Sequence, residues 1–473
     1  MTSLTADSTS PDSRSDAVVL FGVSGDLAYK KLLPALYNLE RAERLDGPVI
    51  GLARSAWDDE RLRARAEGAV RDAATQVDEA ALARLLGRLR MLAGEYTETA
   101  TYEALAAMLA DTARPLFHLA VPPVVFESVV AGLNAVGLAD RGRVVVEKPF
   151  GRDAASAAEL NTALTRYVDE QNIFRIDHYL GKESVEGLLV FRFANTLFEP
   201  LWNRHYVKSV QVTLAESLDT EGRAGFYDGV GAVRDVVQNH LLQIVALLGM
   251  EPPIADDADA YRDEEVRLLR QVRPIDPDDT VMGQYEGYGE EDGVAPGSIT
   301  ETFMATTLWI DSFRWAGVPF HVRAGKALAG AATEAVVELR RPPRLLFASK
   351  SAERPEANRL HFRLGHDDGV SVTLQAKAPG AKAVSQPVAL GVDFDRALGH
   401  RQEAYERLLD DAMDGRKHRF ARPDTIAEEW RIVDGLLAAG KEPELYRRGT
   451  WGPAAAAKVA DPWHPVTTKA PRA

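Results

Sequence analysis

The chain has 473 residues, 46% of them hydrophobic, with no cysteine and a formal net charge of −14. Its length and apolar content allow two or three packed domains, and the missing thiols exclude disulfides and thiolate metal sites and fit a cytoplasmic protein. The charge disfavours a nucleic-acid or anionic-membrane partner, and no run approaches the ~20 apolar residues that span a bilayer.

Residues 1–16 are polar and lack an apolar stretch, which reads as a disordered tail rather than a signal peptide. From residue 17, strand-like runs at 17–21, 48–52, 116–121, 144–146 and 173–176 alternate with helical patterns such as 26–44 and 58–72. That rhythm predicts βαβ units and a doubly wound parallel sheet over 17–176. Beyond it, alternating runs at 207–216, 302–310, 318–323, 360–364 and 370–375 predict a second domain, 177–473, built on a large, mainly antiparallel sheet. The alanine-rich patches near 331 and 454 read as compositional bias.

The first strand runs into Gly22-Val23-Ser24-Gly25-Asp26-Leu27-Ala28 and then a helix. Two glycines permit a tight turn and a close approach of backbone to a diphosphate, and the helix start offers unpaired N–H groups. A plain strand–helix turn would explain the same residues. The second strand ends in Arg54-Ser55, where an NAD site usually carries an acid for the ribose hydroxyls and an arginine accommodates a 2′-phosphate. The pair therefore favours NADP, with NAD as the weaker alternative.

Val146-Glu147-Lys148-Pro149 places Lys148 at the carboxyl end of a buried strand, where ligands sit in open α/β sheets. Arg175-Ile176-Asp177-His178-Tyr179-Leu180-Gly181-Lys182-Glu183 gathers an acid, an imidazole, a phenol and an ammonium where the fold changes. Such donors suit a phosphate, although polar helix caps also look like this. Further on, Arg234, Asp235, Asn239 and His240 interrupt a valine-rich helix, and each needs a partner if buried. A satisfied core histidine is the ordinary explanation of any one such His.

Together these motifs closely resemble the glucose-6-phosphate dehydrogenase family, and the likeness continues through Trp315-Ala316-Gly317-Val318-Pro319-Phe320, Arg323-Ala324-Gly325-Lys326 and Gly449-Thr450-Trp451-Gly452-Pro453. The resemblance implies a Rossmann-like coenzyme domain followed by an α+β domain that binds substrate and oligomerises, as a homodimer or homotetramer. It implies oxidation of glucose 6-phosphate to its lactone with NADP and without a metal. On it, His240 is the base and Asp177 its orienting partner, and His178, Tyr179 and Lys182 hold the phosphate. Glu216 and Asp235 bind sugar hydroxyls, and Lys148 and Lys326 reach both sugar and reaction centre. One departure stands out: the family's second basic residue, five positions after the lysine of Gly325-Lys326, is here Ala331. Two other readings share these residues, a sugar oxidoreductase of the Gfo/Idh type and a regulatory paralogue with weak turnover.

Overall fold

The computed structural model describes residues 14–343, 348–349, 355–365, 367–380, 383–399 and 401–466. Residues 1–13, most of the expected tail, lie outside that set. The chain divides into two compact units. The first holds residues 1–182, 257–259 and 402–423, and the second holds 183–256, 260–401 and 424–473. The expected boundary near 176 thus falls at Lys182, and residues 402–423, expected in the second domain, pack with the first. Nor is the tail irregular to residue 16: Arg14 pairs with Asp410 at 2.8 Å, and the Ser15 N–H donates to Met413 O.

Six parallel strands form the sheet of the first unit: β1 (Ala17–Phe21), β2 (Val49–Ala53), β3 (Leu89–Ala93), β4 (Pro115–Leu119), β5 (Arg143–Glu147) and β6 (Ile173–Ile176). Their order is β3-β2-β1-β4-β5-β6, which reverses direction between β1 and β4. Alternation along β1 feeds both faces of the sheet. Val18 and Leu20 pack with the layer that includes Leu33, Leu36, Leu62 and Leu408, while Val19 and Phe21 pack with Phe117, Phe126 and Leu133.

Among the described residues, the second unit is built on ten strands: β7 (Val207–Ala215), β8 (Val281–Tyr285), β9 (Phe303–Leu308), β10 (Phe320–Gly325), β11 (Ala332–Leu339), β12 (Ala348–Ser349), β13 (Arg359–Arg363), β14 (Gly369–Lys377), β15 (Val384–Asp393) and β16 (Glu444–Tyr446). Their order is β12-β15-β14-β13-β11-β7-β10-β9-β8-β16. Pairing is mostly antiparallel, with parallel contacts between β7 and β10, β8 and β16, and β12 and β15. The alanine-rich stretch after 331 is no mere bias, because β11 runs mid-sheet between β13 and β7. Among the described residues, no helix is long and apolar enough to cross a membrane.

The helix that carries His240 is unusual. Val233–Leu241 winds as a π-helix before the α-helix Leu242–Gly249 continues it. Bonds closed from i to i+5 put more residues into each turn than the 3.6 of an α-helix. Residues five apart, such as Asp235 and His240, therefore lie nearer one face than they would in an α-helix. Its far end is held firmly. Trp202 Nε1 donates to Leu248 O, Trp315 Nε1 to Gly249 O, and Arg192 to Leu247 O and Met250 O, each at 2.7 Å. These donors satisfy carbonyls that a helix end leaves unpaired.

Candidate active site

The expected residues fall in both units. The first holds Gly22 to Ala28, Arg54, Ser55, Lys148, Asp177, His178, Tyr179 and Lys182, and the second holds Glu216, Asp235, His240 and Lys326.

Gly22 follows β1 at the point where strand order reverses, the usual place for a ligand in such sheets. Its φ is +79°, and a Cβ there would stand 2.2 Å from Ala120 O. Only glycine fits, and bare backbone is left facing the crevice. Gly25 closes the turn by donating to Gly22 O at 2.9 Å, and its own carbonyl accepts the Tyr29 N–H at 3.2 Å. Val23 is buried beneath Gly51, Asp26 meets Lys30 at 3.4 Å on the surface, and Ala28 opens a π-turn, Ala28–Leu32. That wide turn lies just ahead of Pro34, in the first turn of the α-helix Leu33–Arg41. Arg54 is exposed and Ser55 half-buried just past the end of β2.

The loop after β6 is tightly organised. The Leu180 N–H donates to Asp177 O and the Lys182 N–H to Tyr179 O, each at 3.0 Å, while Asp177 Oδ1 accepts the Tyr179 N–H at 2.9 Å. Burial pushes the Asp177 carboxyl upward, against the pull of His178, Lys148 and Lys182. Lys182 Nζ lies 3.6 Å from the centroid of the Tyr179 ring. Burial brings its ammonium down to about 8, and Asp177 opposes that shift. The His178 ring stands edge-on to Tyr179 and stacks near Tyr405, with centroids 5.1 and 6.5 Å apart.

The sequence gives no hint of which residues support this loop. Tyr405 OH donates to Glu147 Oε2 at 3.1 Å, and His118 Nε2 lies 3.0 Å from Glu147 Oε1, so the residue before Lys148 is gripped from two sides. Arg407 donates to Gly181 O at 2.7 Å, and a Cβ on Gly181 would strike Leu408. Tyr405, Arg407 and Leu408 share the helix Ala404–Asp414, more than 200 residues downstream.

In the second unit, Lys326 ends up among acids. Its ammonium pairs with Glu216, lies 3.6 Å from Asp235, and faces the Tyr227 ring at 5.1 Å. Sheet register brings the first two together. β7 and β10 run parallel with Ala215 opposite Gly325, so the residue after each strand, Glu216 and Lys326, meets its neighbour. The Glu216 N–H donates to Gly325 O at 2.9 Å and the Lys326 N–H to Thr302 O at 2.9 Å. Asp235 arrives on the π-helix, whose start is fixed by Glu301, a residue the sequence did not single out. Glu301 Oε1 accepts the Val233 N–H and Glu301 O the Ala232 N–H, each at 2.9 Å. Its buried carboxyl is pushed upward by desolvation. A Cβ on Gly231, at φ +71°, would fall 2.4 Å from Glu301 Oε1, so glycine makes room for this cap. His240 lies at the far end of that helix, 2% exposed.

Residues 19–187 match the family model for the glucose-6-phosphate dehydrogenase NAD binding domain, and residues 189–464 match that for its C-terminal domain. The chain is 42% identical over 464 residues to glucose-6-phosphate 1-dehydrogenase 1 of Mycobacterium tuberculosis, covering 96% of this chain and 98% of that one. The crystal structure of glucose-6-phosphate 1-dehydrogenase from Mycobacterium avium superposes with a TM-score of 0.88 at 41% identity, covering 97% of this chain and 100% of that one. A glucose-6-phosphate dehydrogenase in complex with its substrate glucose 6-phosphate gives 0.89 at 34% identity, covering 96% and 99%. By sequence and by fold alike, this chain belongs to the glucose-6-phosphate dehydrogenase family.

Proposed function

We propose that this chain oxidises glucose 6-phosphate at its anomeric carbon to 6-phosphogluconolactone, with hydride passing to NADP, the first step of the oxidative pentose phosphate pathway. The observation that carries the reading is Lys326 set between Glu216 and Asp235, a cluster of one ammonium and two carboxylates suited to sugar hydroxyls. Likeness to a relative solved with glucose 6-phosphate supports the substrate. Lys182, with His178 and Tyr179, takes the phosphate as a point charge on an aromatic backing.

The turn at Gly22 fits a dinucleotide, since its backbone is open where any side chain would collide. Gly22 to Ala28 and Lys148 hold the coenzyme, and Arg54 with Ser55 takes the 2′-phosphate, which favours NADP over NAD. When bound, the nicotinamide accepts the two electrons. His240 removes the proton from the C1 hydroxyl, a task suited to an imidazole with an ordinary pKa of about 6.5. Asp177 orients the imidazole and stabilises the cation that it becomes. Lys148 and Lys326 orient the sugar at the reaction centre.

The enzyme works in the cytoplasm as a homodimer or homotetramer. Exposed Leu374, Val388, Leu390 and Val392 on β14 and β15 form an aliphatic face that supports association. The deciding experiment follows reduced coenzyme while purified protein is given glucose 6-phosphate or free glucose with NADP. Turnover confined to the phosphorylated sugar is expected. Turnover of free sugars alone would replace this reading with a Gfo/Idh-type oxidoreductase.

A further inference from the structure

The helix Asp59–Ala73 carries several arginines, and they divide into two sets. Arg63 pairs with Asp59 at 3.1 Å, and Arg71 pairs with Glu67 at 2.9 Å and Glu79 at 2.8 Å. Arg61 and Arg65, one turn apart on the same face, do neither. Among the described residues no carboxylate pairs with them or with Arg54. This is unexpected in a chain with 70 acidic residues against 56 basic ones.

Arg65 points its guanidinium into the glycine turn, donating to Ser24 O and to Gly25 O, each at 2.9 Å. The group lies 4.8 Å from the Tyr29 ring centroid and 5.5 Å from that of Trp57, and Arg61 lies 4.9 Å from the same Trp57. Tyr29 is itself held by Asp72 at 2.5 Å. Trp57 lies three residues after Arg54 and two after Ser55, and its N–H donates to Ser55 O at 2.8 Å. A single chain of contacts thus joins the glycine turn, Arg65, Trp57 and the loop after β2. Aromatic faces orient cations without neutralising them. The charge therefore stays available to an anion lying past the ends of β1 and β2.

We propose that Arg65 is a second specificity-determining arginine of the coenzyme site, acting with Arg54 on the phosphate that distinguishes NADP from NAD. The inference rests on the NADP reading above. Both carbonyls accept from Nη2, which leaves Nη1 to carry positive charge toward the ribose end of the turn. Arg61, which also lies against Trp57, adds to the local potential.

The test measures dissociation constants for NADP and NAD by calorimetry on the full chain, in wild type, Arg54→Gln, Arg65→Gln and Arg65→Lys, with melting temperature as the check on folding. Loss of one charge-assisted contact corresponds to roughly 10- to 100-fold in affinity. Arg65→Gln should weaken NADP by that much and NAD by less than about threefold. Arg65→Lys keeps the charge but loses the fork, and its effect on NADP should fall between wild type and Arg65→Gln. Equal weakening of both coenzymes would mean that Arg65 only braces the turn, and unchanged NADP affinity would remove it from the site. Either result overturns the inference while leaving the Arg54 reading intact. A wild type that does not prefer NADP would sink both.

Discussion

The loop after β6 in the first unit and the acid–lysine cluster of the second are assembled in opposite ways. Asp177, His178, Tyr179 and Lys182 lie within six residues, and local turns bring their side chains together. Glu216, Asp235 and Lys326 spread over 110 residues and meet because β7 and β10 run parallel in one register and a π-helix delivers the third member. A local motif keeps its geometry through hydrogen bonds within the loop. A dispersed cluster inherits its geometry from the sheet, so residues that touch no substrate can disturb it.

The strongest way to break the comparison is through the end of the π-helix. His240→Asn should lower kcat by roughly 10²–10⁴-fold, the usual weight of general-base catalysis, with KM for the sugar changing far less. A folded variant with near-normal turnover would remove His240 from the chemistry.

In the loop after β6, proposed to take the phosphate, charge and stability should move in opposite directions with pH. Lys182 titrates at about 8 in the folded chain against 10.5 for a free lysine. Its charge is lost as pH rises through 8, and a bound phosphate would shift that loss upward. The kcat/KM for sugar phosphate should fall above that point by roughly 10- to 100-fold, the worth of a charged hydrogen bond. Stability behaves otherwise. Between about pH 8 and 10.5 the unfolded lysine binds more protons than the folded one, so the wild type gains stability relative to Lys182→Met as pH rises. Parallel pH profiles for wild type and Lys182→Met, in activity and in melting, would rule this out.

A smaller effect should come from Glu301, which separates positioning from contact. Glu301→Ala removes the cap of the π-helix, and such caps contribute about 0.5–2 kcal/mol. The kcat/KM for sugar should fall about tenfold while coenzyme affinity holds, and Glu301→Gln, which still offers an oxygen to Val233 N–H, should restore most of it. Equal losses of stability with unchanged sugar kinetics would make the cap purely structural.

Legibility followed the same division. The glycine turn, the loop at 175–183 and five of the six strands of the first sheet could be read because each is a local pattern. β3, Leu89–Ala93, was missed because only Leu89 of its five residues is buried, so no apolar run announces it. β11 was hidden by small residues, and its buried Glu334 and Glu338 look like surface positions until His361 at 2.8 Å and Lys208 at 2.7 Å are seen to pair with them. Nothing in the spacing of Arg61, Arg63 and Arg65 tells which will face the turn. Residues 402–413 show a helical pattern, but nothing in it tells that Tyr405 and Arg407 reach the loop, which they do only through long-range packing in the first unit.

Ala331 offers the gentlest and most discriminating test of the dispersed cluster. β11 pairs with β7 so that Ala332 lies opposite Ala215, which brings position 331 beside Glu216 at the end of the strand where Lys326 also sits. Of two conceivable replacements for the family's missing cation, an arginine from the far end of β11 is excluded by distance. Arg340 follows nine residues later, about 30 Å along an extended strand, and its guanidinium is engaged with Arg204 O at 2.9 and 3.1 Å. Arg341, one residue further, is no nearer. An ordered water bridging to the sugar is the remaining substitute, and it carries no charge. Ala331→Lys should therefore lower KM for glucose 6-phosphate by up to about tenfold, the worth of one further charged hydrogen bond. The new ammonium also competes with Lys326 for Glu216, so the gain should be modest and confined to KM. An unchanged or higher KM in a folded variant would show that the cluster is complete with Lys326 alone.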